Sequence, residues 1–333
     1  MYDRVENQTM LQDSAATAPP APSPSASQPL FVPRKNLWQR FWSRSNERIG
    51  YLFILPSLVH IIAFLFIPLV FSFFLSFRDW TRPSFQDAPY IGLGNYEFLM
   101  GDNRFWQAIS NSIYYTVLAV PMGMAFSLVI ALVMNQKLKG VNLFRTLFFM
   151  PVVSSWVAVS IIWLTLLDPN VGIVNYVLGL FGISGPNWLG DPRSAMPSIA
   201  LIAIWKGAGF NMVIWLAGLQ SIPQELYEAA AIDGANRWQS FWRITLPLLA
   251  PTTFFLAVTG IIGSLQVFTP VYVLTRGGPL DSTNTAVFHI YRRAFQEFDF
   301  GYASAQSWVL FAIIFAVTVI QVGLRRRREE IQY

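Results

Sequence analysis

Six stretches of this chain, at 51–77, 110–134, 144–167, 197–219, 248–274 and 302–324, are long apolar runs with almost no charge. A helix needs about 20 mostly apolar residues to cross the hydrocarbon core of a bilayer, and each run reaches that length. In lipid the backbone must satisfy its own hydrogen bonds, so runs of this kind fold as helices. The expected fold is therefore all-α: a polytopic membrane protein with six transmembrane helices. Prolines 56, 68, 121, 251 and 270 lie in or near these runs, where neighbouring helices can re-satisfy the freed carbonyls. Composition agrees. The chain is 54% hydrophobic and 12% charged, against about 25% charged for a soluble domain.

Lysine and arginine mark the cytoplasmic side of membrane proteins. With the amino terminus inside, the inner segments hold fifteen of them and the outer loops seven. Both termini are thus expected in the cytoplasm, together with loop 221–246. The positive charges gather at the ends of spans, so the basic balance gives no reason to expect a nucleic-acid partner; lipid headgroups are the natural contact. The chain has no cysteine, which excludes disulfides, zinc–thiolate sites and iron–sulfur clusters.

The first 30 residues lack the basic start, apolar core and cleavage site expected of a signal peptide. Their Ala/Pro/Ser-rich stretch is too poor in large apolar groups to fold by burial, so a disordered cytoplasmic tail is expected over 1–35. Residues 36–49 mix Leu37, Trp38, Phe41 and Trp42 with Arg40, Arg44 and Arg48, which suits a helix in the headgroup layer or a simple flank of the first span. The transmembrane domain is expected over 50–325, followed by a short cytoplasmic tail at 326–333. The outer loops carry Tyr96, Phe98, Phe105, Trp106 and Trp188; the tyrosine and tryptophans read as interfacial anchors, with contact to a partner on the outer face as a secondary role.

Loop 221–246 is a polar, helix-prone island between the fourth and fifth spans. Ser221, Pro223 and Gln224 read as a helix start with a capping box. Residues 224–232 are good helix formers. Gly234 ends that helix, and a second one over 236–245 leads into Pro247. By itself this pattern is an amphipathic hairpin.

The residue types say more. Glu228, Ala229, Ala230, Asp233, Gly234, Ala235, Phe241, Ile244, Leu246 and Pro247 stand where the "EAA" loop of permease subunits in bacterial ATP-binding-cassette importers has its pattern. The chain resembles that family from about residue 50 to 325. The likeness includes Trp205-Lys206-Gly207 through Leu216 to Pro223, Val271 through Pro279, Phe144-Arg145-Thr146 through Pro151 and Gly301 through Ala305. It is most similar to the first permease of carbohydrate-uptake pairs, the maltose-permease F-like or glycerol-phosphate A-like subunit. It differs in its Pro-rich tail, and it lacks the extra outer domain and leading spans of the enteric maltose subunit.

The resemblance implies a bacterial inner-membrane permease that forms half of a translocation pathway for a sugar or oligosaccharide and works by alternating access. It implies a second permease subunit, two ATPase subunits on the inner face and an extracytoplasmic solute-binding protein. Glu228, Ala229, Ala230, Asp233, Gly234, Ala235, Arg237 and Arg243 would form the ATPase-coupling element. The chain has no phosphate-binding G-x-x-x-x-G-K-[ST] loop. It is read as non-catalytic and without a cofactor or metal of its own; ATP and magnesium are used by the partner ATPase.

No acidic residue falls within the six runs, but Lys206 lies in the fourth. An ionisable group in a span is a functional candidate by default. Sugars want hydroxyl partners and a flat aromatic face. Trp205, Lys206, Gly207, Phe210, Gly263, Ser264 and Gln266 are the candidate solute-binding residues, on the fourth and fifth spans where related permeases bind solute. Other readings stay open: Ser264 and Gln266 as bonds between helices, and Lys206 paired with a carbonyl or snorkelling. The same machinery could carry glycerol-3-phosphate or another polyol derivative. An ion-coupled secondary transporter would want a mid-membrane carboxylate, and an intramembrane enzyme would want paired acids or a Ser–His arrangement. The chain offers neither.

Overall fold

A computed structural model describes residues 51–81, 88–136 and 139–330, with side chains to residue 325. The expected tail at 1–35 and the headgroup segment at 36–49 lie outside the described residues. The chain divides after Leu65. Residues 51–65 are one helical stretch, exposed almost throughout. Among the described residues there is no strand, only an isolated bridge between Arg78 and Tyr90.

In chain order the helices are α1 (Tyr51–Leu75, with a π turn at Ile62–Phe66), α2 (Gly94–Gly101), α3 (Asn103–Met134), α4 (Val141–Val153), α5 (Trp156–Leu166), α6 (Ile173–Leu180) and α7 (Ala195–Gln220). After them come α8 (Gln224–Ile232), α9 (Arg237–Ser240), α10 (Ala250–Leu265), α11 (Thr269–Leu274), α12 (Ala286–Phe295) and α13 (Phe300–Glu330). Five stretches are each long and apolar enough to cross a membrane: Tyr51–Leu75, Asn103–Met134, Ala195–Gln220, Ala250–Leu274 and Phe300–Arg325. The bent pair α4 and α5 makes up to six.

The expected third span at 144–167 is not one straight helix. It bends by 100° between Val153 and Trp156. Ser154 and Ser155 are both extended there, with ψ of 144° and 137°. Pro151 lies inside α4 shortly before its end, where it removes the bond to the Leu147 carbonyl and crowds the preceding turn. The fifth span is also interrupted. Gln266, Val267 and Phe268 separate α10 from α11, and Pro270 opens the second piece. Irregular backbone at such a depth is tolerated where protein buries it or a cavity borders it.

α3 and α7 form the centre. They pack along one another most extensively, with α10 against α3 and α4 against α7. Small residues allow the close approach that helices in lipid depend on. A Cβ on Gly209 would run into the backbone of Phe148, so α4 and α7 touch main chain to main chain there. Near α8 the core holds Ile130, Met134, Met212, Trp215, Leu219 and Leu249. Most other large apolar side chains point outward, as a lipid-facing surface requires.

Several loop aromatics do other work than interfacial anchoring. Phe105 is fully buried. Trp188 is half-buried and donates Nε1–H to Asn175 Oδ1 at 2.7 Å. Tyr96 donates to Ser76 Oγ at 2.7 Å, and Trp106 to the Leu99 carbonyl at 3.2 Å. These rings pin connecting segments to helix ends by hydrogen bonds, which a preference for the membrane interface alone does not reveal.

Candidate functional site

Two places on the molecule have the makings of a site. The first is a cleft of about 370 Å³ between α3, α7 and the broken fifth span. Its lining includes Tyr115, Gly123, Trp156, Gly207, Asn211 and Gly260, with Gln266 to Pro270 across the break in the fifth span. Gly207 is about 20 Å along α7 from Ser221, at 1.5 Å per residue, so the cleft is near the middle of the bundle.

Of the residues expected from sequence, Gly207, Gly263, Ser264 and Gln266 line this cleft, while Trp205, Lys206 and Phe210 do not. Trp205 packs edge-on against Trp163, with ring centroids 5.6 Å apart. Phe210 is exposed on α7. Ser264 is buried, and its hydroxyl donates to Thr116 Oγ1 at 2.9 Å, with the Ile261 carbonyl 3.0 Å away, which ties α10 to α3. The helix-to-helix role held open for Ser264 is thus present alongside its place on the wall.

Lys206 is buried, and its charge is fully engaged. Nζ donates to the carbonyls of Pro151, Val152 and Ser154 at 2.9, 3.3 and 2.9 Å. It also sits 5.0 Å above the ring of Trp156. The ammonium therefore caps the open end of α4 at the bend, where the last carbonyls have no partner within the helix.

Sequence reading missed Tyr115, Trp156, Asn211 and Phe268. Trp156 gains its position from the bend, for which Pro151 followed by Ser154-Ser155 was the signal. The side chains of Gln266 and Asn211 make no hydrogen bond to the described residues, so two amides face the cleft uncommitted. Aromatic faces with a few convergent polar groups are the usual equipment of a small-molecule site.

The second place is the hairpin of α8 and α9. Helix α8 ends in a Schellman motif: Ala235 N–H donates to the Ala230 carbonyl at 2.8 Å, and Gly234 N–H to the Ala231 carbonyl at 3.1 Å. Gly234 has φ of +79°, the left-handed conformation that favours glycine. The capping box stands elsewhere than expected. Ser221 closes α7 and turns its hydroxyl back to the Gly218 carbonyl at 2.8 Å. Pro223 precedes α8 without a side-chain cap. The reciprocal box is at Asn236 and Gln239, with bonds of 2.8 and 2.9 Å. The expected second helix is α9 followed by a π turn over Phe241–Thr245.

Glu228, Ala229, Asp233, Gly234, Arg237 and Arg243 are exposed, and Ala230 and Ala235 are half-buried. Glu228 accepts a bond from Gln224 Nε2 at 2.8 Å. Ile232 is 87% exposed at the tip. No residue of α8 is fully buried, and the Tyr227 hydroxyl, 2.9 Å from Thr245 Oγ1, ties its body to the foot of the fifth span. Among the described residues no group of three or more metal-ligating side chains occurs.

Residues 98–329 match the family model described as the inner membrane component of binding-protein-dependent transport systems. The chain is 39% identical over 282 residues to YesP of Bacillus subtilis, a probable ABC transporter permease protein, covering 83% of this chain and 90% of that one. It is 36% identical over 286 residues to LacF of Rhizobium radiobacter, a lactose transport system permease protein, covering 84% and 95%. A solved bacterial alginate ABC transporter, in complex with an alginate pentasaccharide-bound periplasmic protein, matches with a TM-score of 0.76 at 27% identity, over 87% of this chain and 97% of that one. With its broken spans, central cleft and exposed hairpin, this chain belongs to the inner membrane components of binding-protein-dependent transport systems, the permeases of ABC importers.

Proposed function

We propose that this permease forms half of the path for a neutral sugar or oligosaccharide, and that its α8–α9 hairpin takes up work from a separate ATPase. The observation that carries the reading is the cleft itself. Tyr115, Trp156 and Phe268 offer aromatic faces beside the free amides of Asn211 and Gln266. That set suits hydroxyl-rich rings, and the relative named for lactose transport supports it; the solved transporter of the acidic polysaccharide alginate supports a saccharide cargo but not its neutrality. No arginine or lysine lines the cleft, and Lys206 is spent on carbonyls. A glycerol-phosphate solute would want a free cation there, so the neutral saccharide is the better fit.

In this scheme both termini and the hairpin lie in the cytoplasm, as the basic residues favour. A second permease completes the path, two ATPase subunits bind ATP and magnesium, and a solute-binding protein delivers the cargo. Glu228, Ala229, Ala230, Asp233, Gly234, Ala235, Arg237 and Arg243 meet the ATPase. Trp205 and Phe210, exposed beside the cleft, would reach solute only across the join with the second permease. ATP-driven closure of the ATPases would open the cleft outward, and hydrolysis would reverse it. The solute and its carrier must bind the two states unequally for this to work.

The test is a purified complex assayed for ATPase stimulation by solute-loaded binding protein. In Gln266→Ala and Asn211→Ala forms, half-maximal stimulation should need roughly tenfold more solute, in line with about 1.4 kcal/mol for each tenfold change. Unchanged affinity in both would remove the cleft from the pathway. Purification of the chain without any ATPase would remove the hairpin's role.

A further inference from the structure

We propose that Lys206 is a positioning residue that carries movement of the coupling hairpin to the wall of the solute cleft. The proposal rests on the hairpin reading above and goes beyond it by naming the route. α7 is a continuous helix from Ala195 to Gln220, and its last residue is separated from the first of α8 by only Ser221, Ile222 and Pro223. A displacement of the hairpin is therefore applied directly to one end of α7. Helices transmit such displacements along their axes as stiff elements.

Lys206 and Gly209 lie on α7 where it meets α4. Gly209 brings the two backbones into contact at Phe148, and three residues before it the Lys206 ammonium holds the carbonyls of Pro151, Val152 and Ser154. The far end of α4 is fixed as well, since Arg145 donates to the Met134 carbonyl at the end of α3 at 2.8 Å. α4 is thus held at both ends, and the hold nearer the cleft is the lysine. Two residues beyond Ser154 comes Trp156, which lines the cleft and lies 5.0 Å beneath the same ammonium.

One cation touches both the broken backbone and the aromatic wall that the break presents. It also favours the bend in a way no neutral side chain matches. A positive charge at a helix C-terminus is stabilised by the carbonyl dipoles, and in a span the three carbonyls give the charge a reason to stay. The bend and α7 then move as one body.

The chain contains no cysteine, so in a complex whose other subunits are made cysteine-free, Ser155→Cys and Gln220→Cys place a unique pair of spin labels on the exposed bend and at the foot of α7. The full complex is measured in liposomes without nucleotide and after trapping with ATP and vanadate, with Lys206 and as Lys206→Met. With Lys206 the label distance should be narrow and the same in both states. In Lys206→Met it should broaden or differ between states. Solute moved per ATP hydrolysed should fall about fivefold or more, with the solute KM unchanged within twofold, and Lys206→Arg should recover most of the loss.

A Lys206→Met form that keeps the narrow, state-independent distance overturns the proposal. A tenfold rise in solute KM with normal transport per ATP also overturns it, and returns Lys206 to the solute ligands. Lys206→Gln provides a second neutral form if the methionine form assembles poorly. Failure of the Met, Gln and Arg forms alike to assemble would make the lysine a folding residue and equally end the proposal. The hairpin reading is scored separately, by ATPase co-purifying with the labelled parent.

Discussion

Tyr227 Oη lies 2.9 Å from Thr245 Oγ1, joining an exposed helix of the hairpin to a buried residue at the foot of the fifth span. Thr245 is 5% exposed, so the bond is partly shielded from water and fixes the angle at which α8 leaves the membrane domain. Removing one hydrogen bond of this kind costs about 1 kcal/mol. Tyr227→Phe keeps the ring and removes the bond. The ATPase should still co-purify at parent level, while solute moved per ATP falls twofold to fivefold. Thr245→Val should do the same, and the double variant no worse, because partners in one bond are not additive. Transport and hydrolysis measured together in proteoliposomes check this.

Gly234 makes a sharper case, because its cost is purely conformational. A Cβ there meets no atom within 4 Å, yet φ is +79°. A left-handed residue other than glycine costs about 1–2 kcal/mol, and asparagine tolerates the conformation best. Gly234→Asn should stay close to the parent, Gly234→Ala should lose some ATPase binding, and Gly234→Val should lose tenfold or more. The order is read from ATPase recovered per permease on an affinity column. Equal recovery across the three would show that the turn does not set the hairpin's shape.

The number of spans, the hairpin and its glycine stop were legible in the sequence because each depends on local chemistry: apolar length, helix-forming residues, a left-handed turn. The bends were not. Pro270 was visible, but whether a membrane helix breaks depends on what satisfies the carbonyls left open at the break. At the bend between α4 and α5 that is a lysine 55 residues from Pro151 in the chain. The same long-range bond explains why Lys206 read as a solute ligand. A charge in a span calls for a partner, and the sequence does not show that backbone rather than cargo supplies it. The cleft was half legible for a similar reason. Gly207, Gly263, Ser264 and Gln266 fall on it, whereas Tyr115 and Trp156 reach it through the packing of α3 against α7 and the bend at Ser154.

Gly263 lines the cleft and has no atom within 4 Å of the place where a Cβ would stand. Gly263→Leu should therefore fill solute space without disturbing helix packing. The complex should assemble with parent-like thermal stability, while the solute KM rises about tenfold and the longest saccharides are lost first. Gly218 is the contrast. A Cβ there would come within 2.5 Å of Thr252 Oγ1 and 3.0 Å of Leu249 Cδ2, so Gly218→Leu should depress assembly itself. Uptake of a size series of saccharides, with melting of the purified complex, separates the two outcomes.

Far from the hairpin, a buried polar knot makes the fold acid-sensitive. Tyr302 donates to Asp102 Oδ2 at 2.6 Å, and Asp102 Oδ1 caps α3 through the N–H groups of Arg104 and Phe105 at 3.0 and 3.3 Å. Burial pushes the Asp102 carboxyl up, and these bonds outweigh it, leaving it below the ordinary carboxylate range. Fully buried His289 has its Nε2 4.0 Å from Asp102, too far for a hydrogen bond. Burial lowers its pKa to about 4, aided by Arg292 and Arg293 and opposed by Asp102 and Glu297. The folded state keeps this imidazole neutral while the unfolded chain takes up a proton near pH 6.5. Its contribution is complete above pH 6.5 and is lost as pH falls from there towards 4, by roughly 3 kcal/mol in all. Asp102 adds a further loss at lower pH, as its carboxylate protonates. His289→Asn cannot take up that proton, so its unfolding midpoint in detergent should vary less between pH 7.5 and pH 4.5 than the parent's. A parent whose midpoint does not fall across that interval would show that the histidine is already charged in the folded protein.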